Sequence, residues 1–149
     1  VFADAREADA EAQLKAWESH KEKEKPRESA LDGVAVTLPA LTRAVKLQKR
    51  AARTGFDWPD AAPVIAKLHE ELAELETEIA SGDREKLALE MGDLLFTCVN
   101  LARKLSIDPE SALRGANRKF ERRFRAVEAS GARSPEDMDA AWEAAKKAE

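Results

Sequence analysis

Two apolar periodicities of helical pitch, separated by a three-residue turn, constrain this chain more than any other feature. Between residues 63 and 80, Leu68, Leu72, Leu75 and Ile79 recur at a/d spacing. Between 84 and 105, Leu87, Met91, Leu94, Cys98, Leu101 and Leu105 repeat the pattern. Ser81-Gly82-Asp83 joins the two runs, with Asp83 placed to cap the second. So short a connection makes the two helices antiparallel neighbours. A sheet would have little to draw on, because Val and Ile are scarce and Tyr is absent. The predicted fold class is all-α, a helical bundle.

The flanking segments read in the same way. Residues 4 to 28 are rich in Ala, Glu and Lys, with Trp17 nearly their only large apolar side chain, which predicts a solvated helix ending near Pro26. Ser29 to Thr37 is a linker. A helix is predicted from Pro39 to Arg53, carrying Leu41, Val45 and Leu47 and stopped at Gly55. The loop Gly55-Phe56-Asp57-Trp58-Pro59 is expected to anchor to the core through its two aromatics. Asp108 as N-cap and Pro109 at the first helical position open a helix with Leu113, Asn117, Phe120, Phe124 and Val127. Gly131 ends it, and Ser134-Pro135-Glu136-Asp137 starts a last one.

Charge and cysteine usage exclude several function classes. A net charge of −4 and a pI near 5.4 argue against a nucleic-acid or membrane-surface binder. No run approaches the roughly 18 apolar residues of a membrane span. The single Cys98 rules out a disulfide framework and a multi-cysteine zinc site, and fits a reducing cytosol. With only His20 and His69, zinc hydrolases and histidine dyads are disfavoured. The chain starts at Val1 without a signal-like segment, which predicts a piece of a longer protein.

The chemistry is concentrated in carboxylates. At 100° per residue, Glu71 and Glu74 fall about 70° and 130° to one side of their apolar stripe, and Glu90 and Asp93 about 60° and 120° to the same side of theirs. Packing the stripes together brings all four carboxylates to one site. On the second helix Glu90, Asp93, Thr97 and Asn100 make a narrow polar stripe that no Lys or Arg interrupts. Carboxylates about 4 Å apart repel by about 4 kcal/mol at an effective dielectric near 20, so a divalent cation is the expected compensation. Oxygen-only ligands indicate Mg²⁺, with Mn²⁺ as the alternative, rather than zinc. Di-iron bundles need Glu-x-x-His pairs, which are missing here.

These residues resemble a known family. Glu70-Glu71-x-x-Glu74, a spacer of 15 residues and Glu90-x-x-Asp93 are similar to the signature of MazG-type all-α nucleoside triphosphate pyrophosphohydrolases. The likeness runs from Leu38 to about Phe124, through Leu38-Pro39-Ala40-Leu41, Gly55-Phe56-Asp57-Trp58, Glu90-Met91-Gly92-Asp93-Leu94-Leu95-Phe96 and Asn117-x-Lys119-Phe120-Glu121-Arg122-Arg123-Phe124. It resembles most the C-terminal domain of tandem MazG proteins. On that likeness residues 1–30 are a linker helix from a preceding domain, and 31–149 are the domain itself. The resemblance implies hydrolysis of NTPs or dNTPs to the monophosphate and pyrophosphate, with Mg²⁺, by a cytoplasmic homodimer. It implies metal ligation by Glu71, Glu74, Glu90 and Asp93, and nucleotide contacts from Lys67, Lys86, Lys119, Arg122, Arg123 and Trp142. Glu70, directly before the ligands, is a candidate base or outer partner.

Three further expectations come from the residues themselves. The second helix of the hairpin is apolar on most faces, so a second copy is expected to complete a four-helix core. Arg114, Arg118, Lys119, Arg122, Arg123 and Arg125 put six cations into twelve residues, which suits a triphosphate. Trp142, alone among alanines, either anchors its helix or stacks on a base. The competing reading is a catalytically silent helical interaction module.

Overall fold

The computed structural model describes residues 28–149. The described residues contain five α-helices and no strand: α1 (Ala40–Arg53), α2 (Ala61–Ser81), α3 (Arg84–Lys104), α4 (Pro109–Ser130) and α5 (Pro135–Lys147). The fold is all-α. The chain divides into two units, Val1–Gly33 and Val34–Glu149, and all five helices belong to the second. In the first, the Asp32 carboxylate closes a turn by accepting from the amides of Glu28 and Ser29. The helix expected between residues 4 and 28, with Trp17, otherwise lies outside the described residues.

Local chemistry sets the helix ends. Asp60 accepts from the Ala62 amide at 2.9 Å and starts α2 two residues before the predicted position. Pro63 is tolerated there because a first-turn amide has no intrahelical partner. Gly82 closes α2 at φ 74, a left-handed conformation that a side chain would strain. Asp83 then accepts from the amides of Glu85 and Lys86. Asp108 and Ser134 cap α4 and α5 through the amides of Ser111 and Asp137, each with Pro at the first position.

The α2–α3 hairpin is the largest contact, α3 also touches α1 and α4, and α5 packs on α4. Gln48 in α1 fixes the α1–α3 contact, its Nε2 donating to the Phe96 carbonyl at 2.9 Å. The seam of the hairpin is rotated from the predicted one. On α2 the inward residues are Val64, Leu68, Glu71 and Leu75, while Leu72 and Ile79 are exposed. On α3, Leu87, Leu94, Thr97 and Leu101 turn inward, while Met91, Cys98 and Leu105 are exposed. The polar stripe borders the partner helix, and a second apolar set on α3, Leu89, Met91, Leu95 and Phe96, faces out. An a/d count assigns Leu72, Ile79, Met91 and Leu105 to one seam, whereas these helices have apolar residues enough for two.

The Gly55–Pro59 loop also departs from expectation. Phe56 is 82% exposed and does not anchor it. Asp57 does, accepting from Arg103 at 3.0 and 2.5 Å and from Lys104 at 2.7 Å, while Lys104 Nζ also donates to the Trp58 carbonyl. The Arg103 guanidinium, with Lys104, holds the Asp57 carboxyl well below the usual carboxylate range. Charge-assisted hydrogen bonds of this kind contribute about 1–3 kcal/mol, so Asp57→Asn should lower stability by that amount. A depressed folded-state pKa makes the contribution complete above the unfolded value, about 4. Urea melts should therefore show the gap between wild type and variant shrinking as pH falls below about 4.

Candidate active site

Glu71 enters the site because its helix turns it inward. It is 4% exposed in the α2–α3 seam, opposite the polar stripe of α3. Glu71, Glu90 and Asp93 each present an oxygen within 4.8 Å of the other two. Burial raises the Glu90 carboxyl above its ordinary value, and the charges of Glu74, Asp93, Glu71 and Glu78 raise it further. A group pressed by four neighbouring anions is short of positive charge. Lys67 supplies some, with Nζ 2.8 Å from both Glu70 and Glu71. Those hydrogen bonds, Glu70 first, push the Lys67 ammonium above its usual range. The oxygen-only donor set and this residual repulsion fit a hard divalent cation.

The predicted site residues fall into two groups and a remainder. Glu71, Glu90 and Asp93 are together, while Glu74 is exposed and outside the 4.8 Å group. Glu70 and Lys67 border that group as an ion pair. Arg122, Arg123 and Trp142 form the second group on α4 and α5. The Trp142 ring lies 5.4 Å from Phe120 and 5.7 Å from the Arg123 guanidinium, and Phe120 stacks on Phe124 at 5.8 Å. Lys86 is 3.9 Å from Asp83 on the first turn of α3, and Lys119 is exposed on α4.

Two participants escaped the reading of the sequence. Glu78 adds to the negative field on Glu90; it stands seven residues after Glu71, which returns it to the same helix face. Glu149 pairs with Arg122 and Arg123 at the end of α5. The available signal was its position seven residues beyond Trp142.

Residues 61–127, from the start of α2 nearly to the end of α4, match the MazG nucleotide pyrophosphohydrolase domain. The chain is 50% identical over 133 residues to a nucleoside triphosphate pyrophosphohydrolase of Escherichia coli K12, an overlap of 86% of this chain and 51% of that protein. It is 46% identical over 116 residues to a Thermotoga maritima protein named nucleoside triphosphate pyrophosphohydrolase/pyrophosphatase MazG, across 76% of this chain and 44% of the relative. The chain thus spans about half the length of these curated relatives. The carboxylates of α2 and α3 and the basic face of α4 lie within that matched segment, so residues 61–127 form a MazG nucleotide pyrophosphohydrolase domain.

Proposed function

We propose that this chain hydrolyses nucleoside triphosphates to the monophosphate and pyrophosphate, using Mg²⁺ held by Glu71, Glu74, Glu90 and Asp93. The observation that carries the reading is the convergence of Glu71, Glu90 and Asp93 oxygens in a seam that leaves them undercompensated. The bound metal supplies charge neutralisation at the phosphates and a water of lowered pKa. Glu70 lies at the edge of the group, where it can accept a proton or orient a water. The cations of α4, with Lys67 and Lys86, serve the phosphates, and Trp142 the base. Lys67 is already paired to two glutamates, so its role is to orient Glu71 as much as to meet substrate.

The same reading includes a cytoplasmic homodimer. Leu89, Met91, Leu95 and Phe96 on α3 and Ile65, Leu72 and Ile79 on α2 are between 43% and 67% exposed. An apolar face of that extent on the central hairpin suits a second copy of the same hairpin, giving a four-helix core. None of the described helices is long and apolar enough to cross a membrane. Residues 31–149 form the catalytic unit in this reading, and 1–30 join it to a preceding domain.

Incubation with a nucleoside triphosphate and Mg²⁺, with separation of products, tests the chemistry. Monophosphate with pyrophosphate is the expected outcome; diphosphate with phosphate, or no turnover, would overturn it. The metal has its own test. Millimolar Mg²⁺ or Ca²⁺ should raise the melting temperature by several degrees, because the cation relieves repulsion in the folded state alone. An identical shift in Asp93→Asn would place the binding elsewhere.

A further inference from the structure

The α4–α5 contact ends in an oxyanion site that the chain fills from within. Arg122 donates to Glu149 Oε1 through Nε at 3.0 Å and again through Nη2, while Arg123 Nη2 donates to Oε2 at 2.6 Å. Two guanidinium groups grip the two oxygens of one carboxylate, the geometry by which arginine holds phosphates as well. The pairing keeps the Glu149 carboxyl down at about 2, through Arg123 first and then Arg122, so it is ionised at neutral pH. Trp142, resting on Phe120 and beneath Arg123, docks the helix that delivers it. Arg123 has a side chain 15% exposed and a buried Nε without a partner, so it has little room to serve a second anion elsewhere.

We propose that Glu149 is an internal competitor for the Arg122–Arg123 pair, so that a phosphate group enters this site by displacing the Glu149 carboxylate. The inference rests on the reading of α4 as the triphosphate-binding helix, and it adds regulation to that site. One carboxylate leaves the two guanidinium groups with a net positive charge, which attracts the incoming anion without surrendering the site to any single carboxylate in solution. A multiply charged phosphate brings more charge and a third oxygen, so it wins the exchange where a weaker anion does not. The apparent affinity for anions is reduced by the fraction of molecules in which the pair is free.

The test is calorimetric titration of inorganic triphosphate, without divalent metal, into the whole chain and two variants. Glu149→Gln keeps the side-chain volume and lies beyond the end of α5, so the fold is retained; tryptophan fluorescence, to which Trp142 contributes, verifies that α5 stays docked. The competitor predicts binding about fivefold or more tighter in Glu149→Gln, and about tenfold or more weaker in Arg122→Ala. Unchanged or weaker binding in Glu149→Gln, with Arg122→Ala still impaired, overturns the competitor and leaves α4 as the phosphate site. Equal affinity in all three proteins overturns the reading of α4 as well.

Discussion

Asp93→Asn should reduce turnover of a nucleoside triphosphate by about two to three orders of magnitude while leaving the far-ultraviolet helical signal intact. Asp93 is exposed at the edge of the seam, so the amide fits without repacking. What it loses is one negative carboxylate out of a trio whose oxygens lie within 4.8 Å of one another. A metal that neutralises charge in the transition state supplies several kcal/mol, and each 1.36 kcal/mol is tenfold in rate. Without metal the same variant should melt at the same temperature or slightly higher, since one of the charges pressing on Glu90 is gone. Near-normal kcat at saturating Mg²⁺ would refute the assignment of Asp93 as ligand.

The second large effect concerns the outward face of α3. Leu95 is 53% exposed within one chain, next to Phe96 at 43%. If that face packs on a second copy, Leu95→Glu sets a carboxylate, and its counterpart across a two-fold axis, into an apolar contact. Burying an unpaired charge costs several kcal/mol, enough to shift a micromolar dimer to monomer. Sedimentation should show that shift, with a fall in melting temperature of ten degrees or more. A variant that sediments as wild type would remove Leu95 from the interface, and a wild-type monomer at micromolar concentration would remove the dimer.

Helix existence and helix ends were legible because they depend on neighbours in sequence. Asp83, Asp108 and Ser134 each cap the helix that their position announces, and Gly82 and Gly131 stop theirs in left-handed conformations. The convergence of Glu71, Glu90 and Asp93 was legible for the same reason, since their spacing repeats on two helices, whereas Glu74 falls outside the group. The orientation of the seam was not. Met91 and Leu94 are equally apolar to a periodicity count, yet only Leu94 turns inward, and Glu71 is deeper than Leu72. Polarity does not separate the first pair and ranks Glu71 and Leu72 the wrong way round, because the inward position is costly for Glu71 unless Lys67 meets it. Contacts between residues far apart in sequence were invisible too. Asp57 finds Arg103 and Lys104 across 46 and 47 positions, and nothing in the Gly55–Pro59 segment favours Asp57 over Phe56 as the anchor.

The thin interior of the single chain bears on how it folds. Among large apolar side chains only Val64, Leu75, Val99 and Val127 are 5% exposed or less, in a unit that carries five helices. Conformational entropy opposes the ordering of every one of those helical residues, at about 1–2 kcal/mol each, and four buried side chains return only a small part of it. In the proposed homodimer, a chain built this way would acquire its remaining burial by meeting its twin. Its folding would then be a second-order reaction, its stability would rise with the logarithm of its own concentration, and dilution alone would be a denaturant.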